Sequence, residues 1–538
     1  MARARRGRPA GGGGRRRGEP GSLEQIPVWR EHVAVHGEQE GVAAPVGVEA
    51  LLAGLNPEQR RAVTHDEEPL LVVAGAGTGK TQVVTRRVAW LIATKRARPA
   101  EILALTFTDK AAEEMQVRVD QLVPYGYTDT VISTFHAFGD RVIRGHALEL
   151  GLPSDPRVLS RPETVIFLRE RLFRLDLDEY RPLGNPTRFL DALATLFSRL
   201  KDEDISPAAY AAHAARLAVE AEALADGGAR DAAREAARRQ AELAGAYARY
   251  QELLGEAGAI DFGDQVALAL RLLREHPAAR AELQARFRYV LVDEFQDVNR
   301  AQSELVALLA EPHRRIAVVG DDDQSIYRFR GAATGAIVDF LERFRGARTI
   351  VLRRNYRSLA PILDASRRLV RFNDPDRLEV QQGISKRLVP QRRAPGRGRG
   401  GAAATWGGAG ASGPPAVVRH VAFATGSEEA DWVAAEIAAR VAGGAAPRDH
   451  AVLVRANAGA DPVLRSLNIA GVPWRFSGAS GLYARPEIRL LLAFLRAVGD
   501  PASSVDVYAL AASDLYGLGG EDLAALANRA RRTNRSLW

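Results

Sequence analysis

The chain contains a series of short apolar runs, and each of them ends in glycine or polar residues. The runs cover residues 70–73, 102–105, 131–132, 289–292, 316–319 and 350–352. Unbroken apolar runs of this kind are typical of strands that are buried on both faces of a parallel sheet. Stretches with helical spacing, such as 83–91, lie between the runs. The alternation of strands and helices predicts an α/β fold built on parallel sheets.

A long segment between the third and fourth runs has a different pattern. Residues 146–258 are rich in Ala, Glu and Arg, and Leu243, Tyr247, Tyr250 and Leu254 recur at helical spacing with polar residues between them. No set of residue types that is typical of catalysis stands out here. We therefore expect an all-helical domain inserted between strands of the first sheet.

The first apolar run leads into a glycine-rich segment that reads AGAGTGKT. Strand, glycine-rich turn and helix form the context of a phosphate-binding loop, in which backbone N–H groups and a helix N-terminus face the anion. Lys80 would reach the β- and γ-phosphates of ATP, and the Thr81 hydroxyl would bind Mg²⁺. The predicted nucleotide contacts are Ala74, Gly75, Ala76, Gly77, Thr78, Gly79, Lys80 and Thr81. The alternative is a structural glycine turn between a core strand and a helix.

Paired acids follow the fourth run, and a glutamine follows the fifth. Asp293 and Glu294 come directly after the apolar residues 289–292. In a nucleotide hydrolase the first acid holds Mg²⁺ and the second positions or deprotonates the attacking water. Gln324 lies just beyond 316–320, where it could touch the γ-phosphate. Taken alone, the acid pair could be solvated charge, but the upstream phosphate loop favours the catalytic interpretation.

Composition narrows the function further. The chain has no Cys, which excludes disulfides and cysteine metal sites and fits a reducing cytoplasm. No apolar run approaches the roughly 18 residues of a membrane span. The net charge of +8 favours a polyanionic partner. Nearly all basic residues are Arg, and the lysines are Lys80, Lys95, Lys110, Lys201 and Lys386.

The ordered motifs resemble those of the UvrD/Rep/PcrA family of superfamily 1 DNA helicases over roughly residues 50–538. The matching stretches are LNPEQRRAV, AGAGTGKT, ILALTFTDKAAEEM, ISTFHAF, LVDEFQD, VVGDDDQSIYRFRGA and LRRNYRS. The resemblance implies two RecA-like motor domains, each with an inserted helical domain. It also implies ATP-driven 3′ to 5′ translocation on single-stranded DNA with duplex unwinding.

On this basis we expect six segments. They are a disordered basic arm (1–48), the first RecA-like domain in two parts (49–145 and 259–345), its helical insertion (146–258), the second RecA-like domain (346–474) and an incomplete second helical insertion (475–538). The Pro-, Gly- and Arg-rich residues 390–416 would form a flexible loop in the second motor domain.

The resemblance also implies roles for single residues. Gln59 would read adenine, Tyr356 would stack on the base, and Gln82 stands where close relatives often have an Arg against it. Gln324 would sense the γ-phosphate, and Arg357 would be an arginine finger. The residues at DNA-contacting positions are Phe107, Thr134, His136, Tyr327, Phe329, Arg330, Gly517 and Gly519.

The chain ends before a TxHxxKGLE segment and before a second arginine-bearing motif. We therefore expect either a fragment of a longer protein or a truncated form. The partners implied are single-stranded DNA, single-strand/duplex junctions and ATP, in a bacterial cytoplasm near the nucleoid. Two alternatives remain open: a helicase–nuclease subunit of the RecB or AddA type, and a nucleic-acid- and ATP-binding protein without efficient turnover.

Overall fold

The computed structural model describes residues 47–66, 69–123, 130–326, 335–392, 417–476, 486–502, 504–513, 515–516, 518–533 and 537. These residues form two compact units that divide at residue 404. Mixed helices and parallel strands give the first unit the α/β class that the apolar runs predict.

All strands in the described residues lie in the first unit. They are β1 (Leu70–Ala74), β2 (Ile102–Thr106), β3 (Val131–Thr134), β4 (Arg157–Leu159), β5 (Ala259–Asp261), β6 (Tyr289–Val292), β7 (Ile316–Gly320), β8 (Arg348–Leu352), β9 (Arg354–Asn355) and β10 (Val389–Pro390). Six of them form one parallel sheet in the order β3-β2-β6-β7-β1-β8. Two short parallel pairs, β4 with β5 and β9 with β10, complete the set.

Fifteen α-helices accompany these strands in the described part of the first unit. They are α1 (Val48–Leu52), α2 (Pro57–Thr64), α3 (Lys80–Ala93), α4 (Asp109–Asp120), α5 (Phe135–Gly145), α6 (Arg161–Glu170), α7 (Leu190–Asp202), α8 (Pro207–Ala223), α9 (Gly228–Glu256), α10 (Asp264–Glu275), α11 (Pro277–Arg286), α12 (Arg300–Ala310), α13 (Ala336–Arg343), α14 (Ala360–Val370) and α15 (Leu378–Gln381).

Helices cover both faces of the main sheet. Because successive strand residues point to opposite faces, Val73 joins the core of α5, α10, α12 and α13, which includes Phe138. Its neighbour Val72 joins the core of α2, α3 and α4, which includes Val88. This two-sided burial explains why the strands appear in the sequence as unbroken apolar runs.

Strand β8 lies at the edge of the main sheet. It pairs in parallel with β1, from Leu70 opposite Arg348 to Ala74 opposite Leu352. The boundary that we predict from the sequence, near residue 345, would place this strand in the second motor domain. In the structure β8 covers an edge of β1 that would otherwise expose unpaired backbone groups, so the chain stays with the first sheet until Leu352.

The helical insertion consists of α6 to α9. Its core stacks Phe197 on Tyr247 and Tyr250, with ring centroids 5.4 and 5.0 Å apart. Buried Lys201 of α7 contacts Asp261 at 2.6 Å and Asp264 at 2.8 Å, which ties the insertion to β5 and α10. We expected this segment to be entirely helical, but it also contains a strand: β4 lies within 146–258 and pairs with β5.

The described part of the second unit is helical. It contains α16 (Gly426–Ala442), α17 (Asp461–Ile469), α18 (Pro486–Gly499), α19 (Ser504–Ala511) and α20 (Gly520–Thr533). The apolar residues 451–454 do not form a strand, because these exposed residues have no hydrogen-bonded neighbouring strand among those described. None of the helices described in either unit has the length and apolar character needed to cross a membrane.

A close helix crossing gives a test of this packing. A Cβ atom added to Gly139 of α5 would lie 2.1 Å from the carbonyl oxygen of Gln265 in α10. Because the obstacle is backbone, we expect Gly139→Ala to force the helices apart and to lower the free energy of unfolding by about 2 kcal/mol. Urea denaturation measures the change.

Gly145 is the matched control in the same helix. A Cβ there meets nothing within 4 Å, so Gly145→Ala should leave the urea midpoint unchanged or raise it slightly. Equal midpoints for the two variants would contradict the described contact between α5 and α10.

Candidate active site

The predicted nucleotide residues meet at one edge of the main sheet. Because all six strands are parallel, the segments after β1, β6 and β7 leave from the same side. They carry Lys80, the pair Asp293 and Glu294, and Gln324 respectively. The site is therefore a direct consequence of strand direction.

The phosphate loop between β1 and α3 has the backbone that its glycines predict. Gly77 and Gly79 have φ of +76° and +88°, a region that side chains rarely adopt. The Thr78 hydroxyl donates to the carbonyl of Gly75 at 2.7 Å. Helix α3 starts at Lys80, so its N-terminal amides lie beside the loop.

Lys80 joins the three segments. Its side chain is 9% exposed, and its ammonium contacts the carboxylate of Glu294 and the Gln324 Oε1 atom, the latter at 3.3 Å. The Thr81 hydroxyl lies 3.5 Å from the Asp293 Oδ2 atom. The structure thus brings together four of the five residues expected to act in hydrolysis, and Arg357 is the fifth. The four are Lys80, Asp293, Glu294 and Gln324, and they lie with the expected metal ligands Thr81 and Asp293.

The two acids have different surroundings. Burial, and then the neighbouring charge of Glu294, raises the pKa of Asp293 to about 6. Glu294 has φ of +51°, an uncommon value for a non-glycine residue. The Gln296 amide donates to the Glu294 Oε2 atom at 2.8 Å and accepts from the backbone N–H of Asp321 at 3.0 Å, which links the ends of β6 and β7.

The residues assigned to adenine lie beside the loop. The Gln59 amide donates to the carbonyl of Thr78 at 2.9 Å and accepts from the N–H of Asn56 at 3.1 Å. The Asn56 amide donates to the Tyr356 hydroxyl at 3.0 Å. A Cβ on Gly79 would lie within 3.2 Å of the Gln82 Oε1 atom, so Gln82 also borders the loop.

The segment after β8 closes over the phosphate loop. The Asn355 amide donates to the carbonyl of Ala76 at 2.6 Å, and the N–H of Tyr356 donates to that of Gly77 at 2.9 Å. A Cβ on Gly77 would lie 2.5 Å from the Cβ of Arg357. The Cβ end of the Arg357 side chain therefore lies next to the phosphate loop. Sequence reasoning assigned no role to Asn355, although a polar residue directly before Tyr356 and Arg357 was a possible signal.

A second candidate site is a cavity that Asp297, three residues after Glu294, borders. This cavity of about 520 Å³ is also bordered by Phe107, Thr134 and His136, which the resemblance assigns to DNA. The His136 ring stacks on Phe262 with centroids 4.0 Å apart and planes at 26°. Burial lowers the pKa of His136 to about 4, so the ring is neutral at pH 7. The sequence analysis assigned no role to Phe262. The signal that could have identified it is an aromatic residue within a polar turn.

Thr108, Asp109 and Gly263 also border this cavity, and further lining residues come from the helical insertion and from the segment after the acids. They are Arg161, Thr195, Ser198, Arg199, Asp202, Asp297, Asn299 and Gln302. Burial raises the pKa of Asp202 to about 7 and that of Asp297 to about 6. Both carboxyls thus carry less negative charge near neutral pH than exposed acids would.

The other expected DNA contacts are Tyr327, Phe329, Arg330, Gly517 and Gly519. Tyr327, Phe329, Arg330 and Gly517 lie outside the described residues. Gly519 is exposed just before α20 in the second unit, where its N–H donates to the Asp522 carboxylate at 3.3 Å.

The donor set at the phosphate loop fits Mg²⁺. The Thr81 hydroxyl and the Asp293 carboxylate are hard oxygens, the donor type that this ion prefers. A bound cation would also favour the ionised form of a carboxyl whose pKa is raised by burial.

Comparison with known proteins shows which family this chain is similar to. The family model described as the UvrD/REP helicase N-terminal domain matches residues 55–345, and the UvrD-like helicase C-terminal domain matches 350–533. The ATP-dependent DNA helicase UvrD1 of Mycobacterium tuberculosis is 35% identical over 512 residues, which cover 93% of this chain and 60% of that protein. The ATP-dependent DNA helicase PcrA of Staphylococcus aureus is 30% identical over 490 residues, covering 91% and 60%. The chain thus spans about 60% of the length of these relatives.

The raised pKa of Asp293 predicts a pH-dependent stability. The native protein holds this proton up to about pH 6, whereas the unfolded chain releases it near 3.8, so the carboxyl destabilises the native state as pH rises through that window. We expect Asp293→Asn to raise the free energy of unfolding at pH 7.5, without nucleotide, by on the order of 2 kcal/mol. Urea denaturation at several pH values measures the gain.

The gain should fall to about half at pH 5, because the native carboxyl is then mostly protonated. Asp376→Asn, at an exposed acid, is the control and should change little at either pH. An Asp293→Asn variant that is less stable than the wild type at pH 7.5 would contradict the account.

Proposed function

The chain belongs to the UvrD/REP helicase family, and from this premise we propose that it is an ATP-driven DNA motor. It would couple ATP hydrolysis to 3′ to 5′ movement on single-stranded DNA and to unwinding at single-strand/duplex junctions. Its setting would be DNA repair, replication or recombination in the bacterial cytoplasm. The similarity to two ATP-dependent DNA helicases supports the ATP and DNA parts of the proposal.

The observation that carries the proposal is the meeting of Lys80, Glu294 and Gln324 at one sheet edge. A buried ammonium needs a negative partner, and Glu294 supplies it in this structure. A γ-phosphate brought to the loop would offer Lys80 a second anionic partner. Lys80 would then move from the carboxylate to the phosphate.

Hydrolysis follows from that exchange. Once Lys80 contacts phosphate, Glu294 is free to orient a water molecule and to accept its proton. Arg357, next to the phosphate loop, would approach the transferred phosphoryl group as charge develops there. Thr81 and Asp293 would hold Mg²⁺, which when bound neutralises phosphate charge.

One short segment connects hydrolysis to DNA. Glu294 contacts Lys80, and three residues later Asp297 borders the cavity of Phe107 and His136. A 3₁₀ turn, Phe295–Asp297, joins them, so a displacement of Glu294 acts on the cavity wall over a single helical turn. We propose that this turn transmits the state of the nucleotide to DNA.

The cavity suits single-stranded DNA. Phe262 is 56% exposed and stacks on neutral His136, which together offer an aromatic surface to a base. Arg161, which also pairs with Asp191, and Arg199 border the same cavity and would supply positive charge for the backbone.

ATP turnover by the 538-residue chain, with and without single-stranded DNA, tests this function. We expect DNA to raise the turnover rate, because its binding acts on the turn that carries Glu294. Phe262→Ala should raise the DNA concentration for half-maximal stimulation by about tenfold, in line with the loss of one base–aromatic stack. The rate without DNA should stay unchanged.

Phe372→Ala is the matched control, since Phe372 is 86% exposed and does not border the cavity. Lys80→Ala should abolish turnover and keep DNA affinity. A wild type whose turnover ignores single-stranded DNA would count against the motor, and an unchanged DNA requirement in Phe262→Ala would count against the stacking surface.

A further inference from the structure

Three consecutive acids after β7 surround a buried lysine that has no role in the site described so far. The Lys386 ammonium lies 2.5 Å from Asp321 and 2.8 Å from Asp323, and it also contacts Asp322. Its side chain is only 5% exposed. These acids directly precede Gln324. Lys386 therefore contacts the loop that carries Gln324, the residue expected to touch the γ-phosphate.

Arg377 holds the same loop from a second direction. Its guanidinium forms a bidentate pair with Asp323 at 2.7 and 2.8 Å and contacts Glu379 at 2.9 Å. The neighbouring N–H of Leu378 donates to Asp322 at 2.8 Å. We call residues 377–388 the clamp segment, because both of its cations hold the acids that precede Gln324.

The end of the clamp segment reaches the phosphate loop. A Cβ on Gly75 would lie 3.0 Å from the Leu388 side chain. The next residue, Val389, donates its N–H to the carbonyl of Arg353 at 2.7 Å, and β10 pairs with β9, which carries Asn355 onto Ala76. One segment therefore contacts both walls of the nucleotide site.

A short chain of contacts joins Lys386 to Lys80. Lys386 contacts the Oδ1 atom of Asp321, whose Oδ2 atom accepts from the Gln324 amide nitrogen at 2.7 Å. That hydrogen bond turns the Gln324 Oε1 atom toward Lys80, at 3.3 Å. Without a cation, three adjacent carboxylates would repel one another, and the Gln324 side chain would lose its fixed partner.

We propose that Lys386 is a positioning residue that, through Asp321, aims Gln324 at the terminal phosphate and so lets the site distinguish ATP from ADP. The inference rests on the proposed function, because it assumes that a nucleotide occupies the phosphate loop. Burial by itself would raise the pKa of Asp323, but the contacts with Arg377 and Lys386 lower it overall. This lowered pKa agrees with a tightly held loop.

A purely structural ion pair is the rival explanation, and nucleotide selectivity separates the two. Gln324 would touch only the γ-phosphate, so a misplaced Gln324 weakens ATP and spares ADP. Loss of a structural pair destabilises the whole fold and weakens both nucleotides alike.

Equilibrium binding of ADP and of a non-hydrolysable ATP analogue to the full chain provides the test. We expect Lys386→Met to weaken the analogue about tenfold and to change ADP affinity less than twofold. In a Gln324→Ala background the same change should have almost no further effect, because Lys386 acts through Gln324. Lys95→Met, at an exposed lysine, should leave both affinities unchanged.

Asp321→Asn provides a second route if Lys386→Met does not fold, as judged by thermal denaturation. It removes the connecting carboxylate, keeps the other two acids, and should show the same selective loss. Equal weakening of both nucleotides, or an undiminished effect in the Gln324→Ala background, would overturn the inference alone. A wild type that binds neither nucleotide would overturn the proposed function together with it.

Discussion

A buried ammonium among competing anions is the interaction on which the site depends. Lys80 is held at the sheet edge by the carboxylate of Glu294 and the amide of Gln324. Desolvation makes an unpaired charge there costly, so the lysine must always have a partner. In the proposed mechanism, nucleotide binding and the release of Glu294 are therefore one event, since the same cation would serve both anions.

The surrounding fold keeps these few groups at contact distance. Parallel strands deliver the glycine-rich loop, the acid pair and Gln324 to one edge, and Gln296 bridges the ends of β6 and β7. Asn355 and the clamp segment hold the loops from the opposite side. The turn Phe295–Asp297 then links this rigid frame to the aromatic cavity.

Local patterns in the sequence were sufficient for the six strands of the main sheet, for the glycine-rich turn and for the position of the acids at a strand end, because each of these is encoded within about ten residues. Contacts between distant segments were not predictable in this way. The pairing of β8 with β1 and the approach of Phe262 to His136 depend on tertiary packing. One overlooked signal was lysine itself: in a chain whose cations are nearly all Arg, Lys80, Lys201 and Lys386 are buried among carboxylates. A compact ammonium suits acceptors in several directions better than a planar guanidinium does.

The exchange of Lys80 between Glu294 and phosphate is tested most directly by measuring ATP binding and ATP turnover of Glu294→Gln. The substitution removes the competing charge and the general base together. The account predicts ATP affinity at least equal to that of the wild type, with turnover lower by about a hundredfold or more. A variant that loses ATP affinity, or that hydrolyses ATP at the wild-type rate, would contradict it.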